Sequence, residues 1–350
     1  MNGPLISAAE LAAELAAGSQ VVLADVRWAL TGPSGRPDYE AGHLPGARWV
    51  DLESELTTHG PTGGRHPLPD PEVFQAAMRR LGVSASTPVI AYDGATSLAA
   101  SRLWWLLTDA GHQDVRVLDG GFAAWEAAGS PIETGPGPGP ADGDFVGRPG
   151  QRAAVNAAGV LALLDEGSGS PRSSSTDITL VDVRAADRYA GENETMAPIA
   201  GPIPGALSRP SPETLPATGQ FKAPADIAER FADIDGEPVF YCGSGITAAH
   251  TLLALESTGR TGAIYPGSWS DWITDPDRPR TTGPSAGRGS TSRGHVSLSR
   301  TRTQLPGDGA QDPSRRSGWL GWSAAVVVSG GGGDLDGVGV GVDGLDGPAG

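Results

Sequence analysis

Short continuous apolar runs alternate along the chain with helical stretches. The runs are Val21 to Leu23, Val89 to Tyr92 and Val115 to Leu118 in the first half, then Leu180 to Val183, Pro238 to Tyr241 and Ala263 to Tyr265 in the second. Strands that are apolar on both faces and separated by helices belong to a parallel sheet covered on both sides. Helix starts are marked too. Ser7-Ala-Ala-Glu10 is a capping box ahead of Leu11 and Leu15, and Asn156 stands before Val160, Leu161 and Leu164. The pattern predicts a small α/β domain in each half.

The halves repeat one another. Val21-Val-Leu-Ala-Asp25-Val-Arg27 returns as Thr179-Leu-Val-Asp182-Val-Arg184, and Leu44-Pro-Gly-Ala47 as Ile203-Pro-Gly-Ala206. Val89-Ile-Ala-Tyr92-Asp93-Gly94 returns as Val239-Phe-Tyr241-Cys242-Gly243, and Gly120-Gly-Phe-Ala-Ala-Trp125 as Gly267-Ser-Trp269-Ser-Asp-Trp272. Order is kept while loop lengths drift, so two copies of one domain is the economical explanation. The boundaries follow as residues 1–133 for the first domain, 134–152 for a Gly/Pro-rich linker, 153–280 for the second domain and 281–350 for a tail. The tail holds 18 of the 52 glycines and has no counterpart in the first half. Its composition cannot bury enough surface to offset ordering entropy, which predicts disorder.

Composition excludes several classes. The formal net charge is −16, carried wholly by residues 1–280, with Lys222 the only lysine. An acidic body without a basic run disfavours a nucleic-acid partner. One cysteine, Cys242, rules out an intramolecular disulfide and a multi-thiolate zinc site, and a lone thiol fits a reducing compartment. No basic leader or membrane-length apolar run is present, so the reading is a cytoplasmic protein without a membrane partner.

Cys242 follows a strand by pattern and precedes a helix by pattern. Gly243 and Gly245 let the backbone between them curl with its N–H groups inward, forming an anion-binding concavity at a helix start. A thiol in such a field loses its proton more easily and becomes a nucleophile. The alternative is an inert core cysteine, against which the small, glycine-rich neighbours argue. In the first copy the same place holds Asp93, which offers no thiol. One half is expected to be active and the other structural.

Together these residues resemble the tandem-domain rhodaneses, the thiosulfate and 3-mercaptopyruvate sulfurtransferases. The likeness spans roughly residues 5–280. It rests on Asp25-Val-Arg27-Trp28, Tyr39-Glu-Ala-Gly-His-Leu-Pro-Gly-Ala47, Gly64-Arg65-His66-Pro67-Leu68-Pro69, Asp182-Val-Arg184, Cys242-Gly-Ser-Gly-Ile-Thr-Ala248 and Gly267-Ser-Trp269-Ser-Asp-Trp272. The resemblance implies two rhodanese domains, the second catalytic, with no metal or organic cofactor because the cysteine itself carries the sulfur. Cys242 would take sulfur from a small anionic donor, hold it as a persulfide and pass it to a thiol or cyanide, in a monomer or weak dimer. Gly243, Gly245, Ile246 and Thr247 would supply loop amides to the anion.

The loop resembles the mercaptopyruvate-type group more than the thiosulfate-type group, whose loop carries basic residues. Ser244 would then work with His66 and Asp51 of the other domain, the positions matching that group's relay; a packed loop histidine is the alternative for His66. Arg188 matches the family's substrate-anion arginine, with a surface helix charge as its alternative. Where mercaptopyruvate-type enzymes carry a second arginine the chain has Ala197, and the second-half counterpart of His43 is Pro202. Arg27 and Arg184 are expected to pair with Asp25 and Asp182, and Trp125, Trp269 and Trp272 to be core. Two other functions compete. A cysteine phosphatase would need an arginine where Ala248 stands, and a non-catalytic binding module would have no reason to keep Cys242 with its glycines.

Overall fold

The computed structural model describes residues 3–60, 63–166, 177–215, 218–281 and 294–295. The first domain runs β1 (Leu5–Ile6), α1 (Ala8–Ala16), β2 (Val22–Asp25), α2 (Arg36–Ala41), β3 (Arg48–Trp49), α3 (Leu52–Glu55), α4 (Pro71–Leu81), β4 (Val89–Tyr92), α5 (Leu98–Asp109), β5 (Val115–Leu118) and α6 (Gly121–Ala127). The second runs α7 (Ala157–Glu166), β6 (Asp177–Asp182), α8 (Ala186–Ala190), β7 (Leu207–Ser208), α9 (Pro224–Arg230), β8 (Glu237–Tyr241), α10 (Ile246–Glu256), β9 (Ala263–Ile264) and α11 (Ser268–Trp272).

The first sheet has the order β1-β5-β4-β2-β3, all parallel. In the second, β9-β8-β6-β7 reproduces β5-β4-β2-β3. Where the first domain has β1, Ala154 makes a single parallel bridge to Ile264. The repeat read from the sequence is therefore a repeat of topology. One pairing falls outside it: Gly294–His295 lies antiparallel to the start of β6. Apart from that pair and Thr281, the tail expected from residue 281 lies outside the described residues. Among the described residues no helix is long and apolar enough to cross a membrane.

Local signals act where the pattern put them. Ser7 and Glu10 form the capping box of α1, and the Asn156 side chain accepts from the Gly159 amide at 2.9 Å. Arg27 and Arg184 each grip their own aspartate, Asp25 and Asp182, in buried ion pairs, and the three tryptophans are core. The linker carries no helix or strand but is bound along the first domain. Ala141, Gly143 and Phe145 donate to the carbonyls of Arg80, Arg79 and Val83, and the Phe145 ring is buried.

The domains meet through α5 and α10. Both are apolar nearly all round, the mark of a helix covered on every side. Leu103, Trp105 and Leu106 share one continuous core with Leu252, Leu253 and Leu255, so neither domain's core is complete alone. This packing aligns the α5 and α10 ends and brings first-domain loops onto the turn before α10.

His250, in the middle of α10, is fully buried, and burial pushes its imidazole down to about 4. Above its ordinary value of 6.5 the ring is neutral folded or unfolded. Below it the unfolded chain takes up a proton that the folded chain cannot. Stability should therefore fall as pH drops from about 6.5 towards 4, by up to about 3 kcal/mol. Urea unfolding at pH 7.5 and pH 5 reads this directly, and His250→Gln should flatten the slope. An equally steep slope in the variant would show that other groups carry it.

Candidate active site

Strand β8 ends at Tyr241 and α10 begins at Ile246, leaving Cys242 to Gly245 as the turn. Gly245 sits at φ +88°, and a Cβ there would collide with the Pro266 carbonyl, so only glycine fits. The curl sends the Gly245 N–H to the Cys242 sulfur at 3.1 Å. Ser268, in a left-handed conformation rare for a residue with a side chain, accepts the Cys242 N–H at 3.1 Å. The Cys242 and Gly243 carbonyls accept from the Trp269 and Ser270 amides at 3.0 and 2.9 Å. Ile246 and Thr247 open α10, where first-turn amides have no partner within the helix. The result is a small, rigid, donor-lined cup around a buried thiol.

The first domain supplies one wall. Gly64 packs so closely on Ser270 that no side chain would fit, and the next amide, Arg65, donates to Ser270 Oγ at 3.0 Å. His66 then faces the cup, its Nδ1 2.7 Å from Ser244 Oγ. Arg102, buried in α5, anchors the His66 and Pro67 carbonyls at 3.1 and 2.9 Å. Burial pulls the Arg102 guanidinium down to about 10, and the nearby Cys242 opposes that change.

The carboxylate that meets His66 belongs to Glu53, whose Oε1 is 3.3 Å from Nε2. Trp28 Nε1 donates to the same oxygen at 2.6 Å and fixes it. The expected partner, Asp51, instead caps α3, accepting from the Glu53 and Ser54 amides at 2.9 and 3.2 Å. The difference has a local cause. Asp51 is the residue before the first turn, where a carboxylate is recruited by free amides, whereas Glu53 is longer and sits on the turn itself. A proton on Nε2 facing Glu53 leaves Nδ1 to accept from the Ser244 hydroxyl. Burial pushes the His66 imidazole down to about 4, with Glu53 opposing and Arg102 and Arg65 reinforcing, so it is neutral at pH 7.

Arg188 stands over the other side of the cup. Its Nε donates to both oxygens of the buried Glu194 at 3.1 and 3.0 Å, and Glu194 is also paired with Arg184. Its terminal nitrogens lie 3.5 and 3.6 Å from the point where a Gly243 Cβ would be. The guanidinium thus faces the loop, not bulk solvent alone.

The equivalent turn of the first domain is closed on itself. The buried Asp93 carboxylate accepts from the amides of Ala95, Ser97, Ala99 and Ala100 at 2.9 to 3.4 Å. Burial pushes this carboxyl up and those hydrogen bonds pull against it. Its own side chain occupies the amide cup that Cys242 leaves open. Ala248, where a phosphatase would need arginine, is buried in α10.

Of the expected residues, the fold brings Cys242, Ser244, His66, Arg188, Gly243, Gly245, Ile246 and Thr247 to one place and engages Asp51 elsewhere. Glu53, Arg65, Arg102, Glu194 and Ser268 were not anticipated. Arg65 and Ser268 lay inside the motifs that carry the resemblance, and Arg102 stood out as an arginine inside the apolar stretch Leu98-Ala-Ala-Ser-Arg102-Leu-Trp-Trp-Leu-Leu107.

The rhodanese-like domain model matches residues 7–128 and 168–275. A Mycobacterium tuberculosis protein named for thiosulfate sulfurtransferase activity is 40% identical over 287 residues, covering 79% of this chain and 95% of the relative. A Pseudomonas aeruginosa protein named for 3-mercaptopyruvate sulfurtransferase activity is 41% identical over 292 residues, covering 81% and 99%. The crystal structure of SseA from Escherichia coli, a 3-mercaptopyruvate sulfotransferase, superposes with a TM-score of 0.65 at 31% identity, covering 77% of this chain and all of that one.

Proposed function

The chain belongs to the rhodanese-like domain family, and from that membership we propose how its site moves sulfur. The enzyme is a sulfurtransferase, consistent with the activities for which relatives at 40% and 41% identity are named. The donor is thiosulfate or 3-mercaptopyruvate and the acceptor a thiol or cyanide. One observation carries this reading: the chain's single thiol lies in a glycine turn, accepting an amide N–H, beneath guanidinium groups.

With thiosulfate, the Cys242 thiolate attacks the outer sulfur. A new S–S bond forms, the donor S–S bond breaks, and sulfite leaves with the electron pair. With 3-mercaptopyruvate the C–S bond breaks instead and pyruvate leaves as its enolate. That carbon needs one proton, and the donor thiol has one to give. The Ser244–His66 pair, aligned by Glu53, is suited to take the thiol proton and return it to the methylene. In either case Cys242 is left as a persulfide anion, stabilised by the loop amides. The acceptor attacks the terminal sulfur and restores the thiolate, giving a ping-pong cycle.

The intact mass of the reduced protein after separate incubation with each donor tests this. One added sulfur, mapped to Cys242, is expected, and the faster donor identifies the subgroup. No added sulfur from either donor would leave a binding module as the better account.

A further inference from the structure

Two guanidinium groups from different domains converge on the same point of the loop. A Cβ on Gly243, the residue after the nucleophile, would lie 2.9 Å from Arg65 Nη2, and 3.5 and 3.6 Å from the Arg188 terminal nitrogens. Like charges at such spacing repel, and both are partly withdrawn from water. Arg188 is balanced by Glu194. Arg65 has no comparable counterion. Its Nη1 donates to the Met196 carbonyl at 2.9 Å, its Nε is buried without a hydrogen-bond partner, and no described carboxylate lies within ion-pair distance. Burial and the neighbouring Arg188 both pull the Arg65 guanidinium down from its ordinary value, and charge on Cys242 and, more distantly, on Glu194 opposes them. The segment is also held in place, by the Gly64 contact and the Arg65 amide bond to Ser270 on one side and by His66 on the other.

The geometry points to Arg65 as a donor-binding residue that, with Arg188, closes on the carboxylate or sulfonate of the incoming sulfur donor. This rests on the sulfurtransferase reading and adds to it a recognition element from the domain that lacks the nucleophile. An anionic head beside Gly243 relieves the repulsion between the two arginines while its sulfur lies next to Cys242. Donor recognition is then a property of the interface between the domains. A neutral reagent gains nothing from Arg65.

Alkylation of Cys242 separates charge recognition from turnover. Iodoacetate carries a carboxylate and iodoacetamide does not, and the ratio of their rates cancels any change in the thiolate fraction. In the full chain, Arg65→Gln should lower that ratio roughly tenfold and raise the KM for both donors roughly tenfold, with kcat within about threefold. Arg65→Lys, which keeps the charge but not the fork, should recover part of both losses. A ratio unchanged from wild type, or a fall in kcat with KM unmoved, would overturn the assignment and leave Arg65 as an interdomain strut. If wild type gains no sulfur from either donor, the sulfurtransferase reading fails, whereas the alkylation ratio still reports on Arg65.

Discussion

Replacing Cys242 by serine should abolish sulfur transfer from both donors, lowering turnover by at least about four orders of magnitude. No other residue can substitute, because the chain holds a single cysteine and the matching turn of the first domain holds Asp93. The hydroxyl is a far weaker nucleophile at neutral pH, and an oxygen in that position cannot form a persulfide. The fold should survive. Serine can accept the Gly245 N–H in place of the sulfur and is no larger, so thermal unfolding of Cys242→Ser should stay close to wild type. Thiocyanate formation from thiosulfate and cyanide, and pyruvate release from 3-mercaptopyruvate, are the assays. Wild-type rates in the variant would remove Cys242 from the mechanism.

Ser244→Ala and His66→Gln should split the two donors. Sulfite leaves as a stable anion, whereas the pyruvate enolate must be protonated at carbon. Losing the relay should cut the 3-mercaptopyruvate rate by roughly a hundredfold to ten-thousandfold while thiosulfate stays within roughly a factor of three. Glu53→Gln should follow the same direction more weakly, since it removes the charge that orients His66 without removing the ring. Asp51→Asn should affect α3 and hence stability, not the donor ratio. An equal loss for both donors would mean that Ser244 and His66 shape the loop and move no proton. A larger selective loss in Asp51→Asn than in Glu53→Gln would restore the aspartate to the relay.

The strands Val89–Tyr92 and Val115–Leu118 were readable to the residue, because a fully buried parallel strand is an unbroken apolar run bounded by turn residues. Glycine positions were equally legible. A strand-to-helix turn that must curl around an anion needs residues without a Cβ, and Gly243 and Gly245 announced it. Beta strand 6 was harder, beginning three residues before the apolar run, since Ile178 and Thr179 owe their pairing to β8, and Asp177 its pairing to His295, and not to their own character.

The sequence by itself determined the architecture, the duplication, the place of the single cysteine on a strand-to-helix turn and its replacement by Asp93 in the first copy. These depend on local patterning and on residue types at adjacent positions, which the one-dimensional string preserves. Only the tertiary structure decided that Glu53, not Asp51, meets His66, that Asp93 fills the first domain's own amide cup, and that Arg65 and Arg188 converge over Gly243. The first turns on which way a side chain points from a short helix, the second on how a local turn curls around its own carboxylate, and the third joins groups distant along the chain. The last depends on how α5 packs on α10 across the shared core, a long-range fit that no local periodicity encodes.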